Sequence, residues 1–197
     1  MASDPPSRPA VFLDRDGVIT PDTGGGPIEP YPEAGRAVGL LNEAGWLVVV
    51  VTNQPAVAWG RLSELDVSVQ HDELARQIGK QGGRIDGFFF CPHHPRATVP
   101  EYRCICDCRK PRPGLLTRAR DILGVELAAS VMIGDRMTDV EAGARAGCAM
   151  TILVESGMHT QARIVTQDPP LDIEPDARVG DLKSAVTLVL ARRATVR

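Results

Sequence analysis

Residues 11–20 read VFLDRDGVIT, a run in which three apolar side chains lead directly into two carboxylates. A short apolar run bounded by turn residues is typical of a buried parallel strand, so this one predicts a strand that ends just before Asp14. Asp14 and Asp16 repel each other unless a cation lies between or beside them. Taken alone, DRDG is equally compatible with a simple turn, so the rest of the chain must decide.

Four further runs share the apolar character of the first: WLVVVVT, GFFFC, SVMIGD and MTILV. Helical patterns separate them, including the i, i+3, i+4, i+7 spacing of the apolar residues at positions 37, 40, 41 and 44. Alternating strands and helices predict a doubly wound, mainly parallel α/β sheet, Rossmann-like, in which ligands bind at the carboxyl ends of the strands.

Local signals mark several boundaries of these elements. SELD from Ser63 and TDVE from Thr138 predict capping boxes that begin helices, and the proline of PGLLTRARDIL suits a first helical turn. Residues 168–176 predict a loop, and residues 181–193 a closing helix. We see no domain boundary, so residues 1–197 are expected to form a single domain.

Composition excludes several classes of function. The net charge of −3 over 197 residues gives no basic field for nucleic acid, and the longest apolar run, Trp46–Val51, is too short to cross a membrane. The first ten residues lack the cationic start and apolar stretch of a signal peptide. These features favour a cytoplasmic protein with no nucleic-acid or membrane partner.

Polar residues follow three of the predicted strands. Asp14 follows VFL, Thr52 follows VVVV and Asp135 follows VMIG, while Lys110 lies between the third strand and the next helix. Because the carboxyl ends of parallel strands meet at one edge of the sheet, we expect these side chains to converge.

The predicted convergence suits phosphate-ester hydrolysis. Carboxylates at strand ends can share Mg²⁺, which prefers a few carboxylates together with water and phosphate oxygens. With Mg²⁺ and Lys110 neutralising charge, Asp14 is a competent nucleophile for forming an aspartyl-phosphate. Asp16 would protonate the leaving oxygen and then activate water, and Thr52 would donate to a phosphoryl oxygen.

A cluster of cysteine and histidine residues occupies residues 91–108. Cys91-x-His93 and Cys106-x-Cys108 supply the four nitrogen and sulfur donors of a closed, structural Zn²⁺ site. Cys104 and His94 compete as ligands, and free thiols on an exposed loop are the alternative interpretation. Arg109 and Lys110 follow Cys108 directly, so a metal-bound loop would hold both cations at the phosphate site.

Four motifs in order, DRDGV, VVVVTNQ, RKPRPG and MIGDRMTD, resemble those of the haloacid dehalogenase-like phosphohydrolases. The resemblance implies that Asp14 is the nucleophile, Asp16 the acid/base, and Thr52 and Lys110 the phosphoryl stabilisers. It also implies Mg²⁺ binding by Asp14, Asp135 and the backbone carbonyl of Asp16. Asp139 is the usual second acid of the fourth motif, and its role stays open between metal binding and orientation of its neighbours.

TNQ, CPHHP and CDCRKPRPG narrow the resemblance to a zinc-loop subgroup that contains heptose bisphosphate phosphatases and histidinol-phosphate phosphatases. The motifs look most like the heptose enzymes, which implies removal of the 7-phosphate of D-glycero-D-manno-heptose 1,7-bisphosphate by a monomer. Histidinol-phosphate hydrolysis is the alternative, and a non-catalytic zinc-stabilised binding module is a remote one. By the same resemblance, the substrate-binding residues would be Asp22, Asn53, Arg109 and Arg136.

Two loops depart from the subgroup. Residues 21–31 read PDTGGGPIEPY, and residues 53–60 read NQPAVAWG where the family usually shows NQSGIARG. Both loops would face the substrate, so they bear on sugar specificity and anomer preference. Neither is long enough for a large cap domain.

Overall fold

The computed structural model describes residues 7–155 and 171–195 and contains one six-stranded parallel sheet. The strand order is β3-β2-β1-β4-β5-β6, and every neighbouring pair is parallel. The strands are β1 Ala10–Leu13, β2 Leu47–Asn53, β3 Gly87–Cys91, β4 Val131–Gly134, β5 Met150–Val154 and β6 Ala177–Val179. This is the predicted doubly wound fold, with one strand more than the five expected.

Helices cover both faces of the sheet, as the alternating pattern requires. They are α1 Ala34–Glu43, the one-turn α2 Pro55–Ala58, α3 Glu64–Lys80, α4 Gly114–Leu123, α5 Met137–Ala146 and α6 Leu182–Thr195. Along β1, Val11 and Leu13 point into a core shared with α1, α3 and α6, whereas Ala10 and Phe12 point into a second core with α4 and α5. The sheet is therefore buried on both sides, which explains why its strands read as continuous apolar runs.

The capping box predicted for α3 is confirmed, whereas the one predicted for α5 begins at a different residue. Ser63 caps α3 in a capping box with Asp66, as predicted. The prediction that Thr138 caps α5 is wrong, because the helix begins at Met137 with Arg136 as its N-cap and Asp139 at N3. The Asp139 carboxylate accepts from the Arg136 backbone N–H at 3.0 Å. The helix therefore begins two residues earlier than the sequence pattern indicated, with Asp139 in place of Glu141 as the capping acid.

The remaining segments are simple connections. Residues 171–176 are neither helix nor strand, in agreement with the predicted loop, whose residues 168–170 lie outside the described chain. The connection from β1 to α1 contains turns and a single isolated bridge between Asp16 and Thr20. In the described ranges, no second sheet caps the first, and no helix has the length and apolar character needed to span a bilayer.

Candidate active site

Parallel pairing brings the predicted strand-end residues together. Asp14 follows β1, and its backbone N–H donates to the carbonyl of Ile133 in β4 at 2.9 Å, which sets it beside the strand end that leads into Asp135. Thr52 lies near the end of β2, the neighbour of β1 on the other side. These three side chains are buried and line one cavity.

Lys110 completes this group from the loop before α4. Its buried ammonium uses three donors: it lies 3.0 Å from Asp14 Oδ1 and 2.6 Å from Asp139 Oδ1, and it donates to the carbonyl of Val51 at 2.7 Å. Burial alone would lower the pKa of Lys110, but the charges of Asp139 and Asp14 outweigh it and raise that pKa above its ordinary value. Lys110 is therefore a fixed cation at the base of the cavity.

Asp14, Asp135 and Asp139 form a buried carboxylate cluster, in which one oxygen of each lies within 4.8 Å of the others. Burial, then the charges of Asp14 and Asp139, raise the pKa of Asp135 to about 7. Across residues 7–155 and 171–195, neither Asp135 oxygen has a hydrogen-bond donor. Two orphaned oxygens facing other carboxylates fit a hard divalent cation such as Mg²⁺, which binds through oxygen ligands.

Gly17 brings the backbone close to this cluster. It has a φ of 90°, in the left-handed region, and a Cβ at this position would collide with the Asp135 carboxylate. The glycine of DRDG is therefore required both by the turn and by the close approach of the turn to Asp135.

The Asp16 carboxylate lies outside this cluster. It accepts from Arg15 Nε and Nη2, each at 3.0 Å, from Gln54 Nε2 at 2.8 Å and from Thr20 Oγ1 at 3.3 Å. Burial raises the pKa of Asp16, although the Arg15 charge opposes the shift. Asp16 still lines the same cavity as Asp14, while the predicted metal contact through its backbone carbonyl stays a prediction.

The four predicted substrate-binding residues also line this cavity, which has a volume of about 840 Å³. Asp22 Oδ2 pairs with Arg136 Nη2 at 3.1 Å at the mouth. The Asn53 amide binds both the N–H and the carbonyl of Lys110, each at 3.1 Å, so it holds the lysine loop against β2. Arg109 is buried and donates to the carbonyl of His93 at 3.0 Å.

Several residues of the cavity were not predicted from the sequence. Gln54 donates to both Asp16 and Thr52, at 2.8 and 3.0 Å, and thereby connects two strand ends. Its place in TNQ, one residue after Asn53, was the available signal. Arg178 and Ile173 reach the cavity from the segment after β5, where no motif marks them.

The cysteine and histidine residues form a second cluster beside β3. The four side chains are Cys91, His93, Cys106 and Cys108, with donor atoms that all lie within 4.8 Å of one another. The sulfur atoms of Cys91 and Cys106 are 3.5 Å apart, and His93 Nδ1 lies 3.4 Å from the Cys108 sulfur. Tetrahedral zinc with Zn–S bonds of about 2.3 Å places two sulfurs about 3.8 Å apart. The donor set and its spacing therefore fit Zn²⁺.

The two competing ligands are not part of this cluster. His94 is buried, its Nδ1 accepts from the Arg96 backbone N–H at 3.1 Å, and its ring packs against Trp59 at 4.9 Å between centroids. Cys104 is half-buried and outside the group of four. Among the alternatives that the sequence left open, the geometry brings together Cys91, His93, Cys106 and Cys108.

Comparison with known proteins agrees with this architecture. Residues 107–185 match the model of the HAD-hydrolase-like family. The chain is 38% identical over 155 residues to the D-glycero-beta-D-manno-heptose-1,7-bisphosphate 7-phosphatase of Salmonella typhi, covering 77% of this chain and 82% of that protein. It is 42% identical over 151 residues to the enzyme of that name from Rhodopseudomonas palustris, covering 75% and 84%.

A solved structure extends the similarity to the whole sheet. The crystal structure of D,D-heptose 1,7-bisphosphate phosphatase from B. bronchiseptica, complexed with magnesium and phosphate, superposes with a TM-score of 0.75. It is 30% identical in sequence, and the match covers 93% of this chain and 99% of that one.

Proposed function

Because this chain belongs to the haloacid dehalogenase-like phosphatases, in the family of the heptose bisphosphate phosphatases, we propose that it removes the 7-phosphate of D-glycero-beta-D-manno-heptose 1,7-bisphosphate. The observation that best supports phosphate-ester hydrolysis is the contact between Lys110 Nζ and Asp14 Oδ1 at 3.0 Å. This contact lies inside a cavity lined by carboxylates and arginines. This is the arrangement that a nucleophilic carboxylate needs in order to meet a phosphate dianion.

In the first step, an Asp14 carboxylate oxygen attacks phosphorus and forms an aspartyl-phosphate. The bond between phosphorus and the ester oxygen breaks, its electron pair stays on that oxygen, and the oxygen takes a proton from Asp16. Lys110 and the Thr52 hydroxyl hold phosphoryl oxygens as charge accumulates on them.

In the second step, water attacks the phosphorus of the aspartyl-phosphate. Asp16, now deprotonated, takes the proton of the water, and the bond between phosphorus and Asp14 breaks with its electrons returning to the carboxylate. Inorganic phosphate leaves, and Asp14 and Asp16 regain their starting states.

Mg²⁺ would be held by Asp14, Asp135 and the backbone carbonyl of Asp16, and when bound it supplies charge neutralisation for the phosphoryl oxygens. The magnesium in the B. bronchiseptica enzyme supports this assignment. Asp139 lies 2.6 Å from Lys110, so we assign it to holding the lysine and the start of α5.

The substrate assignment is supported by the charge of the cavity lining. Besides Lys110, the lining contains four arginines, at positions 61, 109, 136 and 178. A sugar bisphosphate presents a second anion for which these cations are suited. Histidinol phosphate instead presents an amine at its other end.

Turnover on defined substrates tests this proposal. We expect kcat/KM for heptose 1,7-bisphosphate to exceed that for histidinol phosphate by about a hundredfold or more, because histidinol phosphate would leave the arginines of the cavity without a second phosphate partner. Both anomers are measured, because Gly24, Gly25 and Trp59 line the cavity in the two loops that depart from the family pattern. Faster turnover of histidinol phosphate would contradict the assignment of the substrate.

We further propose that the cysteine and histidine cluster binds one structural Zn²⁺ that positions the two cations after it. Cys108 directly precedes Arg109 and Lys110, and the Arg109 guanidinium binds the carbonyl of His93 at 3.0 Å. Without the metal, the loop would lose the bonds that fix its path beside β3.

Replacing Cys106 with serine is expected to lower the zinc content well below one equivalent and to lower turnover by about tenfold. Elemental analysis and phosphate release measure the two effects. Cys104→Ser is the matched control, because Cys104 lies in the same loop but outside the cluster. Full zinc content in Cys106→Ser, or its loss in Cys104→Ser, would show that the ligand set is wrong.

A further inference from the structure

Arg15, the residue between the two aspartates, is buried next to the active site. It is 1% exposed, and its Nε and Nη2 each bind one oxygen of Asp16 at 3.0 Å. Its remaining terminal nitrogen, Nη1, lies 3.4 Å from both Gln70 Oε1 and His71 Nε2 on α3. Arg15 therefore connects the Asp16 carboxylate to α3, a helix that contains none of the four motifs.

His71 is itself held by two aromatic rings of β3. It stacks on Phe88 with the ring centroids 4.6 Å apart and meets the edge of Phe90 at 5.7 Å. Burial, and then the charge of Arg15, lower the pKa of His71 to about 3. The imidazole is therefore neutral, and its Nε2 can accept from the Arg15 guanidinium.

Gln70 connects the same arginine to the substrate side of the cavity. Its Nε2 donates to the carbonyl of Gly26 at 3.2 Å, while its Oε1 faces Arg15. Gly26 belongs to the glycine-rich loop that follows the first motif, and its neighbours Gly24 and Gly25 line the cavity. Arg15 is thus fixed from the loop as well as from α3.

We propose that Arg15 and His71 are positioning residues for the acid/base step: His71 orients the Arg15 guanidinium, which in turn holds the Asp16 carboxylate toward the leaving oxygen of the substrate. This inference rests on the proposed phosphatase mechanism and deepens it. The aspartate side chain has two rotatable torsions, so it transfers a proton efficiently to one reacting oxygen only if its orientation is fixed. A bidentate arginine fixes both the plane of the carboxylate and the positions of its two oxygens.

The chemistry of the leaving group separates positioning from a purely structural role. An alkyl phosphate, such as a sugar phosphate, needs a proton on its leaving oxygen, whereas p-nitrophenolate is a weak base and leaves without one. The ratio kcat/KM covers steps up to the first irreversible one, here the departure of the leaving group. Misplacement of Asp16 therefore lowers kcat/KM for the alkyl ester and spares the nitrophenyl ester.

The experiment compares three substitutions in the full-length protein loaded with metal. Arg15→Lys keeps the charge but loses the bidentate geometry, and His71→Phe keeps the aromatic packing but loses the acceptor. His71→Gln restores an acceptor at the distance of Nε2. Arg76→Lys, on the exposed side of α3, is the control, and thermal melting shows that each variant is folded.

We expect Arg15→Lys and His71→Phe each to lower kcat/KM for the heptose bisphosphate by about tenfold or more. This loss is part of the roughly 10²- to 10⁴-fold rate enhancement that general acid catalysis contributes. The value for p-nitrophenyl phosphate should change by about twofold at most, and His71→Gln should recover much of the loss. Equal losses on both substrates, or no loss on either, would overturn the inference. An unsubstituted protein that hydrolyses neither ester would instead refute the proposed function.

Discussion

Replacing Asp14 with asparagine is expected to lower phosphate release by about 10⁴-fold or more, because the amide keeps the size of the carboxylate but cannot form the aspartyl-phosphate. The fold should survive the change. Lys110 keeps its contacts with Asp139 and the carbonyl of Val51, and one of three crowded negative charges disappears. Steady-state turnover with Mg²⁺ and thermal melting of the same preparation measure the two effects.

The control for this substitution is Asp121→Asn, an identical chemical change at an exposed position on α4. It should leave turnover unchanged. Phosphate release by Asp14→Asn at a rate comparable with the parent would exclude Asp14 as the nucleophile, and with it the aspartyl-phosphate mechanism.

Asp135→Asn is expected to separate activity from stability. Loss of a metal ligand should lower Mg²⁺-dependent turnover by about a hundredfold or more. In Mg²⁺-free buffer, however, the variant should melt about 3 °C or more above the parent, because the neutral amide no longer repels Asp14 and Asp139 in a buried site. The buffer contains no chelator, so that the cysteine and histidine cluster is left intact.

The stability difference should grow with pH. The pKa of Asp135 is about 7 in the folded, metal-free protein, against an ordinary value of 3.8. Between these values the folded chain retains a proton that the unfolded chain releases, so the folded state loses stability as pH rises toward 7. Melting curves from pH 5 to pH 8 should show the advantage of Asp135→Asn widening over this window. An advantage that is constant or that shrinks would contradict the crowding of charge that we infer at this site.

Much of the sheet follows from the sequence because its strands are buried on both faces. Apolar runs such as those of β2 and β5 have no competing helical pattern, and the five predicted strands are present. The strand β6 was missed because it is a three-residue edge strand, ARV, in which only alternate residues are partly buried. A segment this short carries no periodic signal.

The capping of α5 shows a different limit. Thr138 is the better N-cap by residue type, but Asp139 binds both the Arg136 N–H and Lys110, and these contacts place the helix start earlier. The lysine arrives from a loop distant in sequence, so a local pattern could not reveal the competition.

In the candidate site, the reactive and phosphate-binding residues could be predicted, whereas the contacts that hold Asp16 in place could not. Asp14, Thr52 and Asp135 occupy positions that parallel pairing forces together. Arg15 and His71 meet only because α3 packs beside the first loop and β3. No spacing in the sequence encodes such a contact, and a histidine within an amphipathic helix resembles any other core residue.

The topology also separates the carboxylates needed for hydrolysis, which follow the central strands, from the loop residues that would contact the rest of the substrate. The reacting and metal-binding carboxylates follow β1 and β4, adjacent strands in the middle of the sheet. In contrast, Gly24, Gly25, Trp59 and Arg61 reach the cavity from loops. A library randomised at these loop positions would alter the shape and charge seen by the alcohol portion of an ester while the hydrolytic scaffold stays intact. Retargeting the protein to a new phosphate ester is thus a matter of exchanging loop residues and needs no rebuilding of the strands.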